Sequence, residues 1–91
     1  MDKLSNDFLI AANIRVCNKK GEAIWFTKLV EKLAKEMSRA TLSKNIDKLF
    51  DLGFIEGKWD KTDEGRWVRT FDVAGEMESI IDAIIVKYDI K

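Results

Sequence analysis

Apolar residues recur at helical spacing along most of this chain, interrupted past its middle by two short runs rich in aromatic and β-branched residues. Leu4, Phe8, Ala11, Ala12 and Arg15 follow one helical stripe and Ile10, Ile14 and Cys17 another, which predicts a first helix over 4–18. Lys19-Lys20-Gly21 ends it, with cations at the negative helix end and a glycine free to take positive φ. Glu22 to Phe26, with Ile24, Trp25 and Phe26, reads as a brief strand. Thr27 is placed to cap a second helix from Lys28 to about Lys35, with Leu29, Val30 and Leu33 facing inward. Ser38 caps a third, in which Leu42, Ile46, Leu49 and Phe50 form the buried stripe before Gly53 stops it. Phe54–Trp59 and Trp67–Val73 are strands, and the polar, glycine-containing stretch 60–66 is the loop between them. Glu76 to Tyr88 closes the chain as a helix with Met77, Ile80, Ile81, Ile84, Ile85 and Tyr88 on a broad apolar face.

Over 36–73 this order is helix, strand, tight polar loop, strand, which is how a winged helix is built. The predicted class is α+β: a winged helix-turn-helix with a three-helix core, a small antiparallel sheet carrying the wing, and a closing C-terminal helix, all in one domain over 1–91. At 100° per residue, Ala40, Thr41, Lys44, Asp47, Lys48 and Asp51 lie opposite the third helix's apolar stripe, with Arg39 and Ser43 flanking them near its N-terminal end.

Composition removes most chemistry. The 91 residues include one cysteine and no histidine. No intrachain disulfide is possible, which points to a reducing, cytoplasmic setting. Zinc would need thiolates that do not exist beyond Cys17, and histidine-based nucleophilic catalysis is excluded. The five glycines are too scattered for a phosphate-binding loop. No nucleophile–base pair or metal set can be assembled, so the expectation is a protein that is not an enzyme and holds no cofactor or metal. No apolar run approaches a membrane span, and the first residues lack the plan of a signal peptide. The formal net charge is zero. Asp72, Glu76, Glu78, Asp82 and Asp89 make the C-terminal part acid-rich, which displaces the basic residues toward the rest of the chain.

Three stretches carry a resemblance to the MarR-type winged-helix transcription regulators, and more loosely to the ArsR and PadR types. Ser38-Arg39-Ala40-Thr41-Leu42-Ser43-Lys44-Asn45-Ile46-Asp47-Lys48-Leu49, followed by Asp51-Leu52-Gly53-Phe54-Ile55, looks like that family's recognition helix and its exit. Asp60 to Arg66 resembles the wing, where the family places an Asp followed by an Arg that reaches the minor groove. Phe71-Asp72-Val73-Ala74-Gly75 is similar to the segment that opens the family's next helix, with Asp72 as its cap. The Cys-x-Cys metal motif of the ArsR type is absent. The resemblance implies sequence-specific binding of double-stranded DNA and transcriptional regulation, through a recognition helix over about 39–52 and a wing over about 60–66.

On this reading Arg39, Ala40, Ser43 and Lys44 read bases, and Thr41, Lys48, Lys61 and Arg66 complete the DNA-binding set. Ser38 and Thr27 offer phosphate contacts at helix N-termini, beside the capping role that serine and threonine ordinarily play there. Lys61 and Arg66 also suit the simpler role of keeping a hairpin soluble. Trp25, Trp59 and Trp67 are expected to pack in the core and sheet, an exposed one marking a partner surface. Cys17 is expected to be a small buried apolar residue. One three-helix core is not expected to cover both sides of the first helix and all of the last. Ile80, Ile81, Ile84, Ile85 and Tyr88 are therefore assigned to a homodimer interface. The alternative is a winged helix that serves protein–protein assembly in a transcription or chromosome-associated complex, a reading favoured by zero net charge and spare aromatics.

Overall fold

Both apolar sides of the first helix are covered within the chain. The computed structural model describes residues 4–91. Helix α1 (Asn6–Lys20) buries Ile10, Ala11, Ala12, Ile14, Val16 and Cys17. It packs on α3 (Arg39–Asp51), on α4 (Glu78–Tyr88) and on strand β2 (Trp67–Val73). A helix at the centre of three neighbours needs apolar residues around most of its circumference. The expectation that a second copy is required to cover α1 is thereby corrected.

The brief strand expected over 22–26 shrinks to a single bridge, Trp25 to Thr70, backed by a hydrogen bond from the Phe71 N–H to the Ile24 carbonyl at 2.9 Å. The chain touches the edge of β2 there and turns at once into α2 (Phe26–Lys32). This helix starts before the expected cap. Trp25 holds the N-cap position without a side-chain cap bond, and Thr27 is already inside the helix, so Thr27 does not cap it. Leu29 and Leu33 are buried as expected, but the helix ends at Lys32, where a turn over 33–36 leads to Ser38.

Helix α3 forms as its local signals direct. The Ser38 side chain accepts from the Thr41 N–H at 3.2 Å, and Leu42, Ile46 and Leu49 are buried on one stripe. Gly53 takes φ +73°, a conformation open to glycine at little cost, and so lets the Phe54 N–H reach back to the Leu49 carbonyl at 2.9 Å. The reversal sends the chain directly into β1 (Ile55–Lys61).

β1 and β2 pair antiparallel from Ile55–Val73 at the base to Lys61–Trp67 at the tip. Asp60 and Lys61, expected in the loop, are ladder residues, so the turn itself is only 62–66. Thr62 closes that turn: its N–H donates to the Arg66 carbonyl at 2.8 Å and its hydroxyl accepts from the Arg66 N–H at 3.1 Å. Ladder pairing holds because successive side chains alternate between faces, which lets polar residues remain in water on a paired strand. Ile55, Phe71 and Val73 on one face enter the core.

Asp72 is a β2 residue ion-paired to Lys58 at 3.6 Å, not a helix cap. A one-turn 3-10 helix over Gly75–Met77 intervenes before α4. Ile81 has no exposed surface and belongs to the core, which removes it from the expected dimer interface. Ile84 and Ile85 pack partly against that core, and Tyr88 is half-buried. α4 is also tied to α1 by Arg15, whose guanidinium donates to Asp82 at 2.9 Å and to Glu78 at 2.9 Å. The hydrogen bond that Arg15 donates holds the Asp82 carboxyl below its ordinary range, and the same contact raises the Arg15 guanidinium further. The result is an α+β winged helix: three core helices, a two-stranded hairpin and a closing helix. Among the described residues, no helix is long and apolar enough to cross a membrane, and no group of three or more potential metal ligands forms.

Candidate functional site

The first turn of α3 is fixed by its own hydroxyls. Ser38 Oγ, besides accepting from the Thr41 N–H, donates to Thr41 Oγ1 at 3.0 Å, and Asn45 Nδ2 donates to the Thr41 carbonyl at 2.8 Å. Thr41 is half-buried and engaged in this network, whereas Arg39, Ala40, Ser43, Lys44 and Asp47 are exposed. Arg39 leans on α2, its guanidinium 5.2 Å from the Phe26 ring centroid.

Lys48 departs from the expected set. Its ammonium pairs with Asp7 of α1 at 3.2 Å, on the side of α3 turned toward the N-terminal end of the chain. Burial works against a charged Asp7, but the Ser5 hydroxyl, Lys48 and the Phe8 N–H outweigh it and hold the carboxyl below its usual range. Lys48 thus braces α3 on α1. Lys58, at the outer face of the hairpin, is likewise bound to Asp72.

The hairpin places Lys61 at the end of β1 and Arg66 in the turn, both exposed. Lys61 lies 5.8 Å from the Trp67 ring centroid. Thr27 is exposed too, but on the wall of a groove and not at a cap.

That groove is the feature sequence reasoning missed. It has a volume of about 330 Å3 and runs between α3, the start of α2 and the inner face of the hairpin. Phe50 and Phe71 form part of its lining, edge to face at 5.7 Å. The base of the hairpin's inner face is core, but Trp59 and Trp67 on the same face project past it and are 69% and 64% exposed. The expectation that these two tryptophans pack in the core is corrected: only the base of the hairpin is covered by the core, and its upper part stands in solvent. The ladder sets Trp59 beside Arg69 and Trp67 beside Lys61, so the two indoles are diagonal neighbours. Trp25 is half-buried at the groove's other end.

Arg69 was not among the expected site residues. Its guanidinium crosses the sheet over Gly57, in the space a Cβ there would fill, and rests 4.3 Å from the Phe50 ring centroid. Glycine at 57 is what lets the side chain lie flat across β1. Counting in twos from Phe71 puts Arg69 on the groove face, which is the only signal of it in the sequence. Asp47 is the single carboxylate of the lining.

No family model matches the chain, so the likeness to MarR-type regulators stands on the motifs quoted above and not on a family assignment. No curated protein matches it either. Among solved structures, the chain is similar to the circadian clock associated protein Pex from Anabaena, with a TM-score of 0.71 and 23% identity over 94% of this chain and 78% of that one. At that identity the likeness is one of fold, and it extends over nearly the whole chain, end helices included.

Proposed function

We propose that this winged helix binds double-stranded DNA and regulates transcription by binding alone, without catalysis and in the cytoplasm. The N-terminal half of α3 enters the major groove, and the hairpin lies along the neighbouring backbone. One observation carries the reading. Arg39, Lys44, Lys61, Arg66 and Arg69 all lie on α3 or the hairpin, and among the described residues none of them is ion-paired. The paired cations Arg15, Lys19, Lys48 and Lys58 are engaged elsewhere. Unpaired arginines and lysines at a helix N-terminus and a wing suit phosphate contacts that fix register, with Arg39, Ala40, Ser43 and Lys44 toward base edges.

Asp47, Asp63 and Glu64 share this surface, so affinity is modest and depends steeply on salt. The protein acts as a homodimer through the outer face of α4, where Ile80 is 51% and Val86 81% exposed. With about four phosphate contacts per subunit, log affinity falls with log salt at a slope near −7. Gel retardation of mixed-sequence duplexes across a salt series tests this. A flat salt response, or no retardation at low salt, rejects it. The exposure of Trp59 and Trp67 favours a second reading, a winged helix that docks on another protein, since tryptophan and arginine are the residues that anchor such interfaces. Capture of duplex DNA at low salt, lost as salt is raised, decides between the two.

A further inference from the structure

Each of four aromatic rings lining the groove between α3 and the hairpin has a cation set against it. Lys28 lies 4.1 Å from the Trp25 centroid, Arg39 5.2 Å from Phe26, Arg69 4.3 Å from Phe50 and Lys61 5.8 Å from Trp67. None of these four cations is ion-paired among the described residues. Alternation of flat rings with free positive charge matches a nucleic-acid strand whose bases have left the helical stack: every base offers a π-face, and every phosphate offers a negative charge. A duplex offers its phosphates but keeps its base faces covered, and so uses the cations while leaving Trp59 and Trp67 idle.

We propose that the inner face of the hairpin is a stacking platform for an unpaired nucleobase. The domain then recognises a duplex beside a single-stranded extension or a melted step in preference to uninterrupted duplex. Trp59 and Trp67 provide the platform. Their diagonal placement on one sheet face sets the indoles side by side, and their exposure leaves ring surface open to a base. Arg69 is held between them and α3 by Gly57 and Phe50, where it meets the phosphate of the unstacked nucleotide. Asp47, on the opposite wall, is an acceptor for an exocyclic amino group of the base. The proposal rests on the DNA-binding reading above and adds a base-stacking subsite to it.

The test compares two labelled DNAs at one salt concentration: a blunt duplex, and the same duplex carrying a short oligodeoxycytidine extension, whose bases carry the exocyclic amino group that Asp47 accepts from. The extended DNA is expected to bind about tenfold more tightly, with quenching of intrinsic tryptophan fluorescence. Replacing both residues, Trp59→Ala with Trp67→Ala, removes the quenching and the preference and leaves blunt-duplex affinity unchanged. The pair Trp59→Phe with Trp67→Phe retains most of the preference. Equal binding of the two DNAs by the unaltered protein overturns the platform and leaves duplex binding standing. Equal loss on both DNAs in the double alanine variant also overturns it. Binding of neither DNA, the result expected of a protein-docking groove, overturns both readings.

Discussion

Asn18, near the end of α1, hydrogen-bonds the backbone of β2 as a neighbouring strand would: its Oδ1 accepts from the Val73 N–H at 3.0 Å, and its Nδ2 donates to the Phe71 carbonyl at 3.0 Å. The Phe71 N–H on the same edge is taken by the Ile24 carbonyl. One side chain and one backbone carbonyl thus satisfy the edge of β2 that β1 leaves open, in a part of the sheet where Phe71 and Val73 are buried.

Asn18→Ala leaves a buried N–H and a buried carbonyl without partners and is expected to lower stability by about 1–3 kcal/mol. Asn18→Asp keeps the acceptor for Val73 but sets a carboxylate against the Phe71 carbonyl, so it is expected to be no better. Urea unfolding measures both. An alanine variant within experimental error of the parent protein would show that water replaces the clamp.

Gly57→Ala tests how Arg69 is held. The added methyl occupies the space of the Arg69 guanidinium, and the far end of a flexible side chain moves at little energetic cost. Stability is expected to stay within about 0.5 kcal/mol. DNA affinity is expected to fall as far as in Arg69→Ala, roughly five- to tenfold, which is about 1 kcal/mol. The double variant should lose no more than either single one, because the two residues act as a unit. Additive losses would separate them.

How much of this was legible in the sequence depends on how local each relationship is. Helix α3 could be read from end to end, because Ser38, the Leu42–Ile46–Leu49 stripe and Gly53 are signals within one short stretch. The hairpin could be read as two strands, but strand periodicity gives a face and not the height above the core. Phe71 and Trp67 share a face, and only the packing of α3 decides that one is buried and the other stands in solvent. The same holds for Lys48, whose partner Asp7 is on another helix, and for Arg69, whose position depends on Gly57 across the ladder and Phe50 on α3. Ile81 went to the wrong surface because a broad apolar face on α4 does not say which part of it meets α1.

The basic residues of α3 separate into three roles. Arg39→Ala is expected to relax preference at one base pair at a cost of roughly 1–3 kcal/mol, and Lys44→Ala to weaken binding to all duplexes alike while reducing the salt slope by about 1. Lys48→Ala, whose ammonium is occupied by Asp7, should leave the salt slope unchanged and lower stability by no more than about 1 kcal/mol. A salt slope that drops on removing Lys48 would return that residue to the interface.

The outer face of α4 makes a separable prediction. Val86 and Ile80 are exposed on a helix whose Ile81 is fully buried, so a charge at either exposed position leaves the core intact. Val86→Lys is expected to convert a dimer into a folded monomer in sedimentation experiments, with little change in unfolding midpoint once the monomers are compared. If the parent protein is itself monomeric at micromolar concentration, the α4 interface is refuted.

The Arg15–Asp82 pair predicts how stability depends on acid. The Asp82 carboxyl titrates below its ordinary value of 3.8 in the folded protein, because Arg15 hydrogen-bonds its charged form. A carboxylate with a depressed folded pKa contributes stability that is fully present above the unfolded value and is lost as pH falls through the folded one. Asp7, also depressed, adds to the same window. Urea midpoints are therefore expected to hold from neutral pH down to about pH 4 and then to fall. Asp82→Asn should lower stability at neutral pH by roughly 1 kcal/mol, a figure already reduced for the solvent that reaches this pair. Its curve should then converge with that of the parent protein once pH has fallen through the depressed folded value, where the parent's carboxylate is protonated as well. A gap between the two that stays constant into acid would mean that the substitution costs packing and not charge, and that Arg15 is anchored by Glu78 alone.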